Sequence, residues 1–104
     1  MSDVDVFGAI ASPVRRQVLD LLRGGPLRAG DVAAAFDMSR PAVSQHLGVL
    51  RSAGLITEER VGRERRYRID GRPLRQVASW AADYERFWQD RLAALEGLLE
   101  EESG

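Results

Sequence analysis

The sequence predicts a mainly α domain with a small β-hairpin, built from five helices and one two-stranded hairpin. Three observations carry that prediction. Apolar residues recur every three or four positions in stretches bounded by Ser, Pro or Gly. The period drops to two only in the stretch between Gly54 and Gly71. The length, 104 residues, suits one domain with a modest core.

The first helix is read over Asp3 to Ile10, with Val6, Phe7 and Ile10 on one side and the acids Asp3 and Asp5 in its first turn. Ser12 followed by Pro13 is an N-cap with proline at the first helical position, and opens a second helix to Arg23. Val14, Val18, Leu21 and Leu22 are its expected buried stripe, and Gly24-Gly25-Pro26 stops it. A third helix is expected over Arg28 to Phe36, with Val32, Ala33 and Phe36 inward, followed by the short connection Asp37-Met38-Ser39.

The fourth helix is the most clearly written. Ser39 caps it, Pro41 sits in its first turn where a missing N–H costs little, and Ala53-Gly54 ends it. Val43, Leu47 and Leu50 form one apolar stripe, while Arg40, Ser44, Gln45, Gly48 and Arg51 fall on other sides. The outward face is polar but nearly uncharged in its first half, which suits a helix that slides into a groove and hydrogen-bonds base edges. Two short helices joined by a tight turn, the second with a polar open face, make a helix-turn-helix over residues 28–53.

Residues 55–70 alternate. Tyr67 and Ile69 interleave with Arg66 and Arg68, and Gly62 lies between two extended runs, as in a hairpin turn. Arg60, Arg63, Arg65, Arg66 and Arg68 crowd the tip and second strand of this wing. Placed directly after a helix-turn-helix, such a hairpin is expected to contact phosphates or a minor groove. After Pro73 one long helix follows. Leu74, Val77, Ala81, Tyr84, Trp88, Leu92, Leu95 and Leu99 advance by three or four residues, flanked by Trp80 and Phe87. At 1.5 Å per residue it spans on the order of 40 Å, longer than the roughly 26 Å diameter of a compact 100-residue domain. Its far end therefore calls for a partner.

The net charge of −1 conceals segregation. All 15 basic residues are Arg. Residues 39–75 hold nine Arg against Glu58, Glu59, Glu64 and Asp70, a net of +5, whereas residues 76–104 hold Arg86 and Arg91 against seven acids, a net of −5. Positive charge on and after the polar helix is the electrostatic footprint of nucleic-acid binding. The absence of Cys removes disulfides, thiolate metal sites and thiol redox sensing. No run approaches the ~18 apolar residues that cross a bilayer, and the acidic start differs from a basic signal peptide. A cytoplasmic location away from membranes is expected.

Three stretches together resemble the ArsR-type (ArsR/SmtB) family of bacterial winged helix-turn-helix repressors over nearly the full chain. They are Ser12-Pro13-x-Arg-x-x-Val-Leu-x-Leu-Leu, the fourth helix from Ser39 through Ser44-Gln45-His46-Leu47 to Ile56, and the hairpin from Arg60 to Ile69. The pattern Trp80, Tyr84, Phe87, Trp88, Arg91, Leu92, Leu95 is similar to a branch of that family without metal ligands. The resemblance implies one winged helix-turn-helix domain over 1–104 that dimerises through residues 1–11 and 72–102. It places Val6, Phe7, Ile10, Val77, Trp80, Ala81, Tyr84, Phe87, Trp88, Leu92 and Leu95 at the homodimer contact. Two reading helices then enter successive major grooves of an imperfect palindrome. The expected contacts to double-stranded DNA are Ser39, Arg40, Pro41, Ser44, Gln45, His46, Arg51, Arg63, Arg65 and Arg66. Metal-sensing members carry thiolates near the reading helix and a carboxylate and His set on the last helix. Here there is no Cys, and His46 is the only His, too few ligands for zinc. No metal and no cofactor are expected.

A dimeric transcriptional repressor is thus the leading reading, and a winged helix that binds another protein instead of DNA is the alternative. An enzyme is not expected, because no nucleophile and base pair, glycine-rich phosphate loop or carboxylate cluster is present.

Overall fold

The structure, a computed structural model, describes residues 5–103. Its elements are α1 (Val6–Ile10), α2 (Pro13–Leu22), β1 (Leu27–Arg28), α3 (Ala29–Phe36), α4 (Arg40–Ser52), β2 (Ile56–Val61), β3 (Glu64–Ile69) and α5 (Leu74–Ser103). They fall into two compact units, one up to Leu74 and one from Arg75 onward.

In the first unit α1 starts at Val6, because Asp5 is its N-cap and accepts from Gly8 N at 2.8 Å. Asp5 therefore precedes the first turn in which the sequence had been read to place it, and Asp3 lies outside the described residues. Ser12 caps α2 as expected, with Pro13 behind it. The buried face of α2 is Val18, Leu19 and Leu22, rotated by about one residue from the expected stripe, so that Val14 and Leu21 are only half-buried.

The two-stranded wing, β2 and β3, is joined by a short third strand into one sheet. β1 pairs antiparallel with β3, Leu27 opposite Tyr67 and Arg28 opposite Arg66, in the order β1-β3-β2. Because Arg28 belongs to this strand, α3 begins one residue later than expected, at Ala29. β2 and β3 run from Ile56 opposite Ile69 to Val61 opposite Glu64, which leaves Gly62 and Arg63 as a two-residue turn. Gly62 takes φ +64°, as a tight hairpin with glycine first requires.

Two helix ends set the reading helix in place. α3 ends at Asp37 in the left-handed region, φ +50°, a conformation that Asp tolerates better than most, and Met38 N donates to Ala33 O. At the other end of α4, Gly54 at φ +76° forms a Schellman closure, with Leu55 N donating to Leu50 O and Gly54 N to Arg51 O. The chain thus turns directly from helix into strand. Leu22, Leu47, Leu50, Leu55 and Ile56 are fully buried. Each contributes about 1.5–3 kcal/mol through the apolar area it removes from water.

The second unit is α5. Its 30 residues span about 45 Å at 1.5 Å per residue. Trp80, Tyr84, Phe87, Trp88, Leu92, Leu95, Leu98 and Leu99 are between 48% and 62% exposed. Trp80 and Tyr84 lie tilted against each other with ring centroids 5.0 Å apart, and the Arg91 guanidinium lies 4.8 Å over the Phe87 ring. No helix among the described residues is long and apolar enough to cross a membrane.

Candidate nucleic-acid interface

The cap and the apolar stripe of α4 decide which side chains it offers. Ser39 accepts from Ala42 N at 3.3 Å, and Val43, Leu47 and Leu50 are buried. With those three inward, Arg40, Pro41, Ser44, Gln45 and Arg51 are exposed. Arg40 extends over the first turn of α3, where a Cβ on Gly30 would come within 2.5 Å of its Nη1. The bare Gly30 leaves that path open.

Between α3, α4 and the wing lies a cleft of about 490 Å³. Its walls are Arg28, Ala29, Gly30 and Asp31 at the start of α3, Arg40 and Ser44 on α4, and Arg63, Glu64, Arg65 and Tyr67 on the wing. Four of the ten residues expected at DNA meet here: Arg40, Ser44, Arg63 and Arg65. Arg28 joins them unannounced by the sequence pattern, since two strand residues give no period to read. Its guanidinium is 3.3 Å from Asp31 Oδ2 and 2.9 Å from Glu64 Oε1. The side-chain bond to Arg28, and then its backbone N–H, hold the Asp31 carboxyl below its ordinary range. Arg28 is raised in return, first by Asp31 and then by Glu64. Arg40 and Arg63 have no side-chain hydrogen bond or ion pair among the described residues.

The remaining candidates lie apart from the cleft. Strand pairing places Glu58, Arg60, Arg65 and Tyr67 on one face of the hairpin and Glu59, Glu64, Arg66 and Arg68 on the other. Arg65 and Arg66, neighbours in sequence, therefore point to opposite faces. Arg66 sits opposite Arg28, and the Glu64 carboxylate reaches both, 3.4 Å from Arg66 Nη2. Arg51 pairs with Glu58, whose other oxygen is 3.3 Å from Arg65 Nε.

His46 is half-buried and turned toward α2, with Nδ1 at 3.5 Å from Arg15 Nη1. The Nδ1 edge of the ring thus faces a cation, and the Nε2 edge alone is left for a phosphate. Arg15 also donates to Ala9 O at 2.7 Å and Gly8 O at 3.2 Å, and Arg16 donates to Ile10 O at 2.6 Å. These bonds satisfy the last carbonyls of α1. No group of three or more His, Asp or Glu able to hold a metal ion occurs among the described residues.

The architecture and the sequence meet in comparison with known proteins. The family model described as bacterial regulatory protein, arsR family, matches residues 12–58, from the cap of α2 into β2. The transcriptional repressor SdpR of Bacillus subtilis strain 168 is 39% identical over 80 residues, 77% of this chain and 89% of that protein. The chain belongs to the ArsR family of bacterial regulatory proteins. A further relative, HTH-type transcriptional regulator Rv2034 of Mycobacterium tuberculosis H37Rv, is 38% identical over 94 residues, 90% of this chain and 85% of that one. Among solved structures, the homodimeric winged helix-turn-helix DNA-binding domain Mb0332 of Mycobacterium bovis matches with a TM-score of 0.64 at 32% identity. That match covers 77% of this chain and 75% of the other. As an ArsR-family winged helix-turn-helix protein, the chain is a DNA-binding transcriptional regulator.

Proposed function

We propose that the chain works as a homodimeric repressor that occupies an imperfect palindrome in its operator and blocks polymerase. The observation that carries this reading is the cleft, in which Arg40 and Ser44 of α4 face Arg63 and Arg65 of the wing. A duplex seated there has its base edges against the helix and its backbone against the wing. Ser44 and Gln45 hydrogen-bond base edges in the major groove, and Arg40 reaches a guanine or a phosphate. Ser39 and the N-terminus of α4 hold a phosphate, with Pro41 opening that first turn. Arg63 and Arg65 grip the flanking backbone.

The division of charge supports the same arrangement, since the segment from 76 onward, net −5, is repelled by a duplex and belongs away from it. Dimerisation through α1 and α5 supplies the second reading helix, in line with a repressor as a relative and a homodimer among similar structures.

Selection of bound fragments from the source genome, followed by titration of the recovered duplex at several salt concentrations, tests the proposal. The expected result is a site with two related half-sites and an affinity that falls steeply with salt. Failure of the purified dimer to bind any duplex more tightly than bulk DNA would instead favour a protein-binding winged helix.

A further inference from the structure

The three-stranded sheet holds two like-charged cross-strand pairs, Arg28 of β1 opposite Arg66 and Arg60 opposite Arg65 within the hairpin. Like charges directly opposite destabilise a sheet. Each pair has a carboxylate set into it. Glu64 serves the first, and Glu58, diagonal to Arg65 on the same face, serves the second.

Glu58 does more than relieve repulsion, because its second oxygen accepts from Arg51 in the last turn of α4. One carboxylate thus ties the end of the reading helix to the second strand of the wing. The covalent connection between α4 and the first strand of the wing, which carries Glu58, is only Ala53 to Leu55, with Gly54 at a positive φ, so the tie fixes an angle that the backbone sets through one short turn. The Glu58 side chain is 20% exposed, against 57% for Arg51 and 65% for Arg65. The carboxylate is shielded and both guanidinium groups stay open to solvent. Arg65 also lines the cleft with Arg40, Ser44 and Arg63. Its guanidinium therefore has two available anions, the Glu58 carboxylate or a phosphate.

The geometry points to Glu58 as a positioning residue that sets specificity. Held by Glu58, Arg51 and Arg65 meet phosphates only where the duplex follows the seated reading helix. Released, they become two unrestrained cations that bind any backbone. Glu58 lowers non-specific binding and raises discrimination. This inference rests on the DNA-binding reading given above.

Glu58→Gln keeps the shape and removes the charge. The test compares it with the parent on the selected operator duplex and on a scrambled duplex of equal length. The scrambled duplex should bind more tightly, and its log K should fall more steeply with log salt, by about 0.9 for each arginine that newly engages a phosphate. The ratio of operator to scrambled affinity should fall roughly 2- to 150-fold, the range shown by coupled members of one ion-pair network. The melting temperature should fall only slightly, because the two guanidinium groups that Glu58 pairs with are each more than half exposed. Arg51→Ala breaks the same tie without releasing an extra cation at that end. It should also lower the ratio, and adding Glu58→Gln to it, which then frees Arg65 alone, should lower the ratio by less than Glu58→Gln does in the parent. A Glu58→Gln protein that keeps the parental ratio, or a double variant whose losses add, overturns the positioning role while leaving the DNA reading intact. A parent that binds both duplexes equally overturns both.

Discussion

Ser44 and Gln45 are exposed and uncharged, Arg63 is exposed and charged, and none of the three has a side-chain partner among the described residues. They separate the two components of DNA binding. Ser44→Ala with Gln45→Ala should reduce discrimination by about 1–3 kcal/mol per lost base contact, with the salt slope nearly unchanged. Arg63→Ala should weaken all sequences alike and flatten log K against log salt by about 0.9. Titrations on operator and scrambled duplex at three salt concentrations check both, and a change of base preference in Arg63→Ala would reverse the assignment. The same scale explains what charge counting misses. The net of +5 over residues 39–75 is legible in the sequence, but which arginines are free is not, since that depends on strand register. Asp70 shows the local consequence of such pairing. Its bonds to the Arg72 side chain, 2.7 Å at the closest, and to the Arg72 N–H lower it to about 2 from an ordinary 3.8. A lowered carboxylate contributes stability that is present above the unfolded value and lost as pH falls through the folded one. The stability difference between the parent and Arg72→Ala should therefore be full at pH 5, fall steeply toward pH 2 and vanish near pH 1, as read by urea midpoints across that window.

At the scale of the element, α4 was legible almost residue for residue, and β1 was invisible. The 13 residues of α4 carry more than three turns of period, a Ser cap, a first-turn Pro and a terminal Gly, so that local signals agree. The two residues of β1 form a strand only because β3 lies beside them, a contact nearly 40 residues away that no local pattern encodes. The buried face of α2 is offset by one position from the sequence pattern because Val18, Leu19, Leu21 and Leu22 offer two overlapping stripes, and packing against α1, α4 and β3 chooses between them. The cleft shows the same limit, since Arg28 enters it through β1. These differences predict how α4 is stabilised. Its packing should outweigh its cap: Leu50→Ala, at a fully buried site, should cost about 2–5 kcal/mol, and Ser39→Ala only about 1 kcal/mol. Urea unfolding with unchanged m-values measures both, and a cap loss larger than the core loss would contradict this account.

The whole molecule is divided by charge and by polarity, with the cationic surface in the unit up to Leu74 and the apolar, acidic one on α5. Release of DNA should not depend on transition metals. With no Cys and one His, mainly oxygen ligands are left, and these hold zinc-class ions poorly at trace concentrations. Operator titrations with zinc, nickel or cadmium against a chelator should superimpose, and a tenfold shift at micromolar metal would refute that. Recognition of a palindrome should depend instead on α5, none of which is expected to touch bases. A single winged helix buries on the order of 600–1,000 Å² on DNA, so one half-site binds weakly and two copies must be linked. The stripe from Trp80 through Leu99, about half exposed, is a larger continuous apolar surface than a soluble monomer ordinarily leaves in water. In the proposed dimer a second copy covers it through a self-complementary contact about a two-fold axis, and the same axis relates the two reading helices to two inverted half-sites. Truncation after Gly71 removes the whole surface, and Trp88→Asp places a charge within it while leaving the chain complete. Both should give monomers by sedimentation equilibrium that fail to bind the full palindrome at concentrations where the parent saturates it. If the parent is itself monomeric, or if either monomer retains parental affinity, α5 is not the link between half-sites.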